Sequence, residues 1–361
     1  MREAQLGLNL AALHHNLKRV RELAPYSRVL AMIKADAYGH GARLVAQALT
    51  EADGFGVAFL DEALALREAG IRQPIAVLEG VFSAEEMFTA VRQNLQLVVH
   101  QEEQLRLLES CKLTGPINVW LKIDTGMHRL GFPPERAILA FQRLHAASVV
   151  GEVGLLTHFA CADEFESRQT ELQISRFRAL QQTLSRQGTR SIADSLANSA
   201  GILAWPASHG AWVRPGIMLY GSSPFADRTA AELDLKPVMT LTSRLIAINP
   251  VKKGEPVGYG GAWVADRDTR LGIVAIGYGD GYPRHAKTGT PVLINGQQVP
   301  LVGRVAMDMI TVDLGGMAAN IGDTAVLWGE GLPADTIAAH AGTISYELFC
   351  KITSRVERKL W

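Results

Sequence analysis

The chain has 361 residues, 48% of them hydrophobic and 7% aromatic, with 36 lysines and arginines balanced by 36 aspartates and glutamates. That length exceeds one ordinary domain unless the domain is a large α/β barrel with an addition, and the apolar content excludes a disordered chain. A formal charge of zero offers no global field to nucleic acid or an anionic membrane surface, so a small molecule is the default ligand. The three cysteines, Cys111, Cys161 and Cys350, lie far apart without CxxC or histidine-rich companions. That suits a reducing compartment and gives no metal-ligand signal. Glu3, Lys18, Arg19, Arg21 and Glu22 break up any apolar run that could serve as a signal peptide. No stretch approaches the ~18 uncharged apolar residues of a membrane helix, and a soluble cytoplasmic protein is expected.

In chain order, an amphipathic helix over 13–23 precedes a repeating unit of short apolar run, turn and amphipathic helix. The runs are 29–33, 54–59, 75–78, 95–99, 117–123, 153–157, 191–194 and 211–213. The first seven are nearly continuous in apolar residues, as strands covered on both faces should be. The eighth is short and is placed mainly by the Arg-Pro-Gly segment after it. Helices over 60–69, 83–93, 101–110 and 134–147 space their apolar residues three or four apart. Eight such units predict a (β/α)₈ barrel of the TIM type. The doubly wound open sheet is the alternative, but G-x-G-x-x-G is missing after the first strand.

Near Lys236-Pro237 the texture changes to β-branched runs punctuated by glycine: 238–248, 271–276, 291–294, 309–314 and 324–327. Asn295-Gly296 is a strong hairpin signal, and short helices are expected over 335–341 and 346–353. The prediction is a barrel over 1–236 and a mostly β domain over 237–361.

Unusual residues share one address, the C-terminal ends of the barrel strands, where catalytic groups of this fold gather. Lys34 ends the first strand, where partial desolvation favours a free, nucleophilic amine. Beyond the fifth lie Lys122, Gly126 and Arg129, the last able to grip a carboxylate bidentately. The sixth ends at Thr157-His158. After the seventh, Asn198-Ser199 opens a short helix, a setting that suits an anion. The eighth leads into Arg214-Pro215-Gly216-Ile217, and loops after strands seven and eight form the usual phosphate site of such barrels. Taken singly, each has a plain alternative: Lys34, Arg129 and Arg214 as solvated ions, Ser199 as a helix cap, and His158 as a satisfied core histidine. Tyr259, likewise, reads by itself as a strand aromatic in a glycine-flanked turn.

Eight strings together carry a resemblance: IKADAYGHG at 33–41, DTGMHRLG at 124–131, THFACADE at 157–164, VRPGIMLYG at 213–221, VGYGG at 257–261, IGYGDGYPR at 276–284, GRVAMDM at 303–309 and SYEL at 345–348. In kind and order they resemble the signatures of alanine racemases, enzymes that use pyridoxal 5'-phosphate on a barrel, over nearly the whole chain and most closely in the biosynthetic bacterial form.

The resemblance implies that Lys34 holds the cofactor aldehyde as a Schiff base and that Arg214, buttressed by His158, faces the pyridine nitrogen. Tyr38, Ser199, Gly216, Ile217 and Tyr346 are similar to the phosphate-binding set. An arginine does not readily give up a proton, so the ring stays a weak electron sink and proton return is favoured over transamination. Racemisation needs bases on both faces of Cα. Lys34 would serve the D-isomer and Tyr259 the L-isomer. A tyrosine is a poor base near neutral pH, so positive charge must act on it, and the Arg214–His158 pair is the expected source.

The substrate carboxylate would meet Arg129 and the Met307 backbone N–H, while Tyr278 and Tyr346 narrow the mouth. Lys122 matches a lysine that is carbamylated in some members, where the carbamate orients the arginine matching Arg129. Ala306 departs from the cysteine of some relatives, without consequence for the backbone contact. The resemblance also implies a homodimer in which Tyr259, Tyr278, Met307 and Asp308 act across the subunit boundary, and a role supplying D-alanine for peptidoglycan. A lone-barrel cofactor carrier is opposed by the β domain with Tyr259 and Met307. An amino-acid decarboxylase is opposed by Arg214, where an acidic residue is expected. A racemase of another small amino acid such as serine stays open, since one hydroxyl discriminates weakly in a small pocket.

Overall fold

The computed structural model describes residues 3–187 and 192–360, which form two compact units. One comprises residues 16–219 and 224–228; the other comprises 3–15, 220–223 and 229–360.

In the first unit, strands Arg28–Met32, Gly54–Val57, Ile75–Val77, Gln96–Val99, Ile117–Lys122, Val150–Leu156, Asp194–Ser195 and Trp212–Val213 close into a parallel barrel. Closure is made by the first strand on the eighth, with Arg28 opposite Trp212 and Val29 opposite Val213. The barrel, not the open sheet, is therefore the fold. The apolar runs locate every strand, with shifted ends: the sixth begins at Val150 rather than 153, and the seventh is centred later than 191–194. Ser191 of that predicted strand lies outside the described residues.

The layer Leu30, Ala76, Val98, Trp120, Leu156 and Trp212 fills the barrel interior, with Trp120 and Trp212 meeting edge to face at 6.2 Å. Such filling makes the barrel a packed support rather than a pore, so chemistry is confined to its rim. The four predicted helices between strands appear as Leu60–Glu68, Ala84–Arg92, Glu102–Ser110 and Pro134–Ala146. Ser83 caps the second, its hydroxyl accepting from Glu86 N at 3.2 Å, and Pro134 opens the last with a pre-set φ. Helices Ala42–Ala48 and Gln169–Arg186 add to those predicted.

In the second unit, strand Met239–Val251 is the hub, antiparallel to Gln5–Leu8, Thr269–Val274 and Thr324–Trp328. Gln5–Leu8 in turn runs parallel to Glu357–Leu360, so both ends of the described chain enter one sheet. Neither of these strands is foreseen from the sequence. The Asn295-Gly296 hairpin is: Ile294 pairs with Gln297, and the two turn residues have φ of 51° and 77°, as a two-residue type I′ loop requires. Helices Ala334–Ala341 and Ser345–Cys350 complete the unit's helical part. No helix among the described residues is long and apolar enough to cross a membrane.

Candidate active site

Immediately beyond the first barrel strand the backbone turns the unusual way. Ala35, Asp36, Ala37 and Tyr38 all have φ between 51° and 54°, a left-handed turn made without glycine. Each such residue costs roughly 1–2 kcal/mol, so surrounding bonds must over-determine it. They do. Glu62 Oε1 accepts from Ala35 N at 2.7 Å, Asp36 O accepts from Gly41 N at 2.8 Å, and Asp36 Oδ1 accepts from Ala42 N at 2.8 Å. The turn fixes Lys34 at its start and Tyr38 at its end. The Tyr38 hydroxyl lies so close to Gly216 that a Cβ there would approach it to 2.6 Å. Any larger residue there would push the Tyr38 hydroxyl aside.

Ser199 ties down the same corner. Its hydroxyl oxygen accepts from Gly216 N at 2.9 Å and from Met218 N at 3.3 Å, which leaves its O–H to be given to an anion. Ile217, fully buried, anchors the turn between them.

Arg214, just beyond the eighth strand, is almost wholly buried. Its Nη1 donates to Ser195 Oγ at 2.6 Å, and its Nη2 to Thr157 O at 2.6 Å and Leu196 O at 3.2 Å. Nη2 also lies 3.3 Å from His158 Nδ1. The guanidinium is a donor only, so Nδ1 accepts and the imidazole carries its proton on Nε2. Burial, followed by the cations Arg214, Lys122, Arg129 and Lys34, holds His158 well below the usual imidazole range, hence neutral. Burial lowers Arg214 to about 10, still far enough above neutrality that it remains a cation.

Lys122 sits in this cluster, 8% exposed, with its amine pushed down to about 8 by burial, opposed by Glu79 and reinforced by Arg214, Arg129 and Lys34. The rim of the barrel is thus a concentration of positive charge, with the Glu79 carboxylate acting against it at Lys122. It can take an anionic ligand, hold a carboxylate and make the Lys122 amine easier to deprotonate. Glu79 is a residue the sequence does not single out. It lies just beyond the third strand, its carbonyl accepting from His100 Nε2 at 3.0 Å and Gln104 Nε2 at 2.9 Å, and the strand-end address alone could have found it.

The second unit assembles its own group. Tyr278 N donates to Ala306 O at 3.0 Å and Gly279 N to Met307 O at 2.8 Å. A Cβ on Gly277 would come within 2.3 Å of Ala306 O, so glycine is what lets these segments meet. Arg355 clamps the pair from behind, its Nε 3.3 Å from Asp280 Oδ1 and its Nη2 donating to Asp308. Arg355 and Asp280 are supports that the sequence does not reveal. Tyr259 stands on a separate turn between Gly258 and Gly260, with Arg304 beside that turn. Tyr259, Met307 and Tyr278 are 68%, 53% and 40% exposed, high for aromatic and apolar side chains. Tyr346 lies on helix Ser345–Cys350.

Comparison with known proteins matches the family models "Alanine racemase, N-terminal domain" over residues 8–224 and "Alanine racemase, C-terminal domain" over 238–360. Among curated relatives, the alanine racemase of Vibrio vulnificus is 53% identical over 99% of both chains. The biosynthetic alanine racemase of Salmonella typhimurium is 54% identical over 99% of both. The crystal structure of biosynthetic alanine racemase from Pseudomonas aeruginosa superposes with a TM-score of 0.95, at 46% identity and full coverage of both chains.

Proposed function

The chain belongs to the alanine racemase family and interconverts L- and D-alanine; we propose that it does so with pyridoxal 5'-phosphate as cofactor, with Lys34 and Tyr259 as the two bases. The observation that carries this reading is the cation cluster of Lys34, Lys122, Arg129 and Arg214 around neutral His158 at the barrel rim.

The residues present fit the cofactor. Tyr38, Ser199, Gly216 and Ile217 would make a cradle of hydroxyls and backbone N–H groups suited to a phosphate, to which Tyr346 would add a hydroxyl. Arg214 would meet the ring nitrogen, held there by its bonds to Ser195, Thr157 and Leu196 with His158 at its side. When bound, pyridoxal phosphate supplies an aldehyde that captures amines and a conjugated ring that acidifies the α-proton of the captured amino acid. Arg214 offers a hydrogen bond without surrendering its proton, which disfavours transamination. Arg129 binds the substrate carboxylate with the Met307 N–H, Asp308 belongs to the same substrate-binding group, and Tyr278 and Tyr346 restrict the space for the side chain. Lys34 Nζ removes or returns the Cα proton on one face and Tyr259 Oη on the other.

In this reading residues 1–236 carry the cofactor lysine and residues 237–361 the second base. The exposure of Tyr259, Tyr278 and Met307 supports a homodimer in which these residues, with Asp308, complete the partner's site. The relatives bearing the word biosynthetic support a biosynthetic role, and the proposal extends it to a cytoplasmic enzyme whose D-alanine feeds peptidoglycan synthesis. The purified protein should show a visible cofactor band that borohydride abolishes, with the covalent label on Lys34 and racemisation of L-alanine lost in step. A label on any other lysine overturns the assignment.

Lys122 is proposed to be carbamylated. Carbamate formation needs a neutral amine, and the chemistry favours a site where the resulting negative charge meets Arg129, Arg214 and Lys34. The amine's lowered value, about 8 against an ordinary 10.5, means that its reactive fraction grows as pH rises toward 8 rather than toward 10.5. Lys122→Ala should raise KM for alanine roughly tenfold, the size of one lost charge-assisted contact, and added acetate should recover part of it. No carbonyl signal from Lys122 after incubation with ¹³C-bicarbonate at pH 8, together with an unchanged KM in the alanine variant, would remove the proposal.

A further inference from the structure

Helix Gln169–Arg186 lies outside every motif described above, yet one of its faces is spent on the turn that leads to Arg129. Residues 169, 173 and 176, spaced four and three apart, share that face. Gln169 Nε2 donates to Gly126 O at 2.8 Å, Gln173 Nε2 to Thr125 Oγ1 at 3.1 Å, and Arg176 Nη1 to Thr125 O at 2.9 Å. From within, Asp124 Oδ1 accepts from the backbone N–H groups of Gly126, Met127 and His128 at 2.9, 3.1 and 3.0 Å. The turn is therefore held on both sides, and Arg129 is the next residue.

Gln173 does more than its neighbours. It is fully buried, and its amide has a single orientation: Nε2 also donates to His158 O at 2.9 Å, while Oε1 accepts from Ala160 N at 2.9 Å. A carbonyl can only accept and a backbone N–H can only donate, so the amide cannot be reversed. The hydroxyls beyond it are ordered by the same logic. Thr157 gives its proton to Ile123 O at 2.9 Å, so the 2.8 Å bond between Thr125 and Thr157 is donated by Thr125. One directed chain runs from Gln173 through Thr125 and Thr157 to Ile123 O. The backbone carbonyl of the same Thr157 receives Arg214 Nη2.

We propose that Gln173 is a positioning residue for the racemisation. Acting through Thr125 and the His158 turn, it sets Arg129 in register with the Arg214–His158 pair, and Gln169 and Arg176 hold the Arg129 turn alone. The proposal rests on the assignment of Arg129 to the substrate carboxylate and Arg214 to the cofactor ring. A residue that served stability only would change the melting temperature and leave KM and the spectrum of folded enzyme as they were.

The test is kcat and KM for L-alanine, with the visible spectrum of the holoenzyme, in Gln173→Glu, Gln173→Leu, Gln169→Ala and Arg176→Met, beside Arg129→Lys. Gln173→Glu is nearly isosteric and still accepts from Ala160 N, but a carboxyl carries at most one O–H, so it cannot make both donations to His158 O and Thr125. It should raise KM about tenfold, the effect of a buried acceptor left unpaired, and shift the cofactor band through the displaced His158–Arg214 pair. Gln169→Ala and Arg176→Met should raise KM by a smaller factor and leave the band unmoved, since neither touches the His158 turn. If Gln173→Leu does not fold, the Glu variant and the exposed Arg176→Met decide the matter. Unchanged KM and band in folded Gln173→Glu, with Arg129→Lys raising KM, overturns this proposal alone. An unchanged KM in Arg129→Lys overturns the assignment it rests on, and the proposal with it.

Discussion

Lys34→Ala is expected to abolish racemisation in both directions, and Tyr259→Phe to lower it by roughly 10²–10⁴-fold, the usual contribution of a positioned general base. The two losses should differ in kind. With Lys34 serving the D-isomer, Tyr259→Phe retains the base that removes the proton from D-alanine, so it should still exchange that α-proton with deuterated solvent while forming little L-alanine. Lys34→Ala should do neither. A mixture of the two variants then tests the proposed dimer. In a mixed dimer with shared sites, one site draws Lys34 from the Tyr259→Phe chain and Tyr259 from the Lys34→Ala chain, and is intact. Random reassortment would restore about a quarter of the wild-type activity. Completion of each site within one chain predicts no recovery at all. Equal exchange of both isomers' protons in Tyr259→Phe would reject the assignment of the two faces.

How much of the structure is legible in the sequence depends on what each residue's type can signal. The barrel strands are visible because both of their faces are buried, so their runs are nearly pure apolar stretches such as Val29-Leu30-Ala31-Met32-Ile33. Gln5–Leu8 and Glu357–Leu360 are invisible because four residues of mixed polarity become strands only through partners hundreds of positions away. The Asn295-Gly296 hairpin is legible since its chemistry is local. The left-handed turn at 35–38 is not, because Ala-Asp-Ala-Tyr has no preference for positive φ, and bonds from Glu62 and within the turn impose it. The same division runs through the site. Lys34, Arg129, His158 and Arg214 announce themselves by unusual chemistry at strand ends. Gln173, Ser195 and Arg355 read as ordinary polar positions, and only the fold shows what they hold.

Arg214→Ala and Arg214→Lys are expected to separate what this residue does for the fold from what it does for the reaction. The alanine variant strips the almost wholly buried guanidinium from Thr157 O, Leu196 O and Ser195 Oγ, and should cost about 3–5 kcal/mol of stability. Against a total of roughly 5–15 kcal/mol, that is enough to lower the melting temperature by many degrees or prevent accumulation of the protein. The lysine variant keeps a cation and one strong donor, so its loss of stability should be smaller. Its loss in kcat should nonetheless reach roughly 10²-fold or more, because a tetrahedral ammonium cannot bond two carbonyls, a hydroxyl and the cofactor ring at once. A buried lysine also surrenders its proton far more readily than an arginine held near 10. It would let the ring become a stronger electron sink, so the ratio of pyruvate released to alanine racemised should rise in Arg214→Lys. Wild-type racemisation without pyruvate in that variant would show that any buried cation suffices, and that the forked geometry seen around Ser195, Thr157 and His158 serves the fold alone.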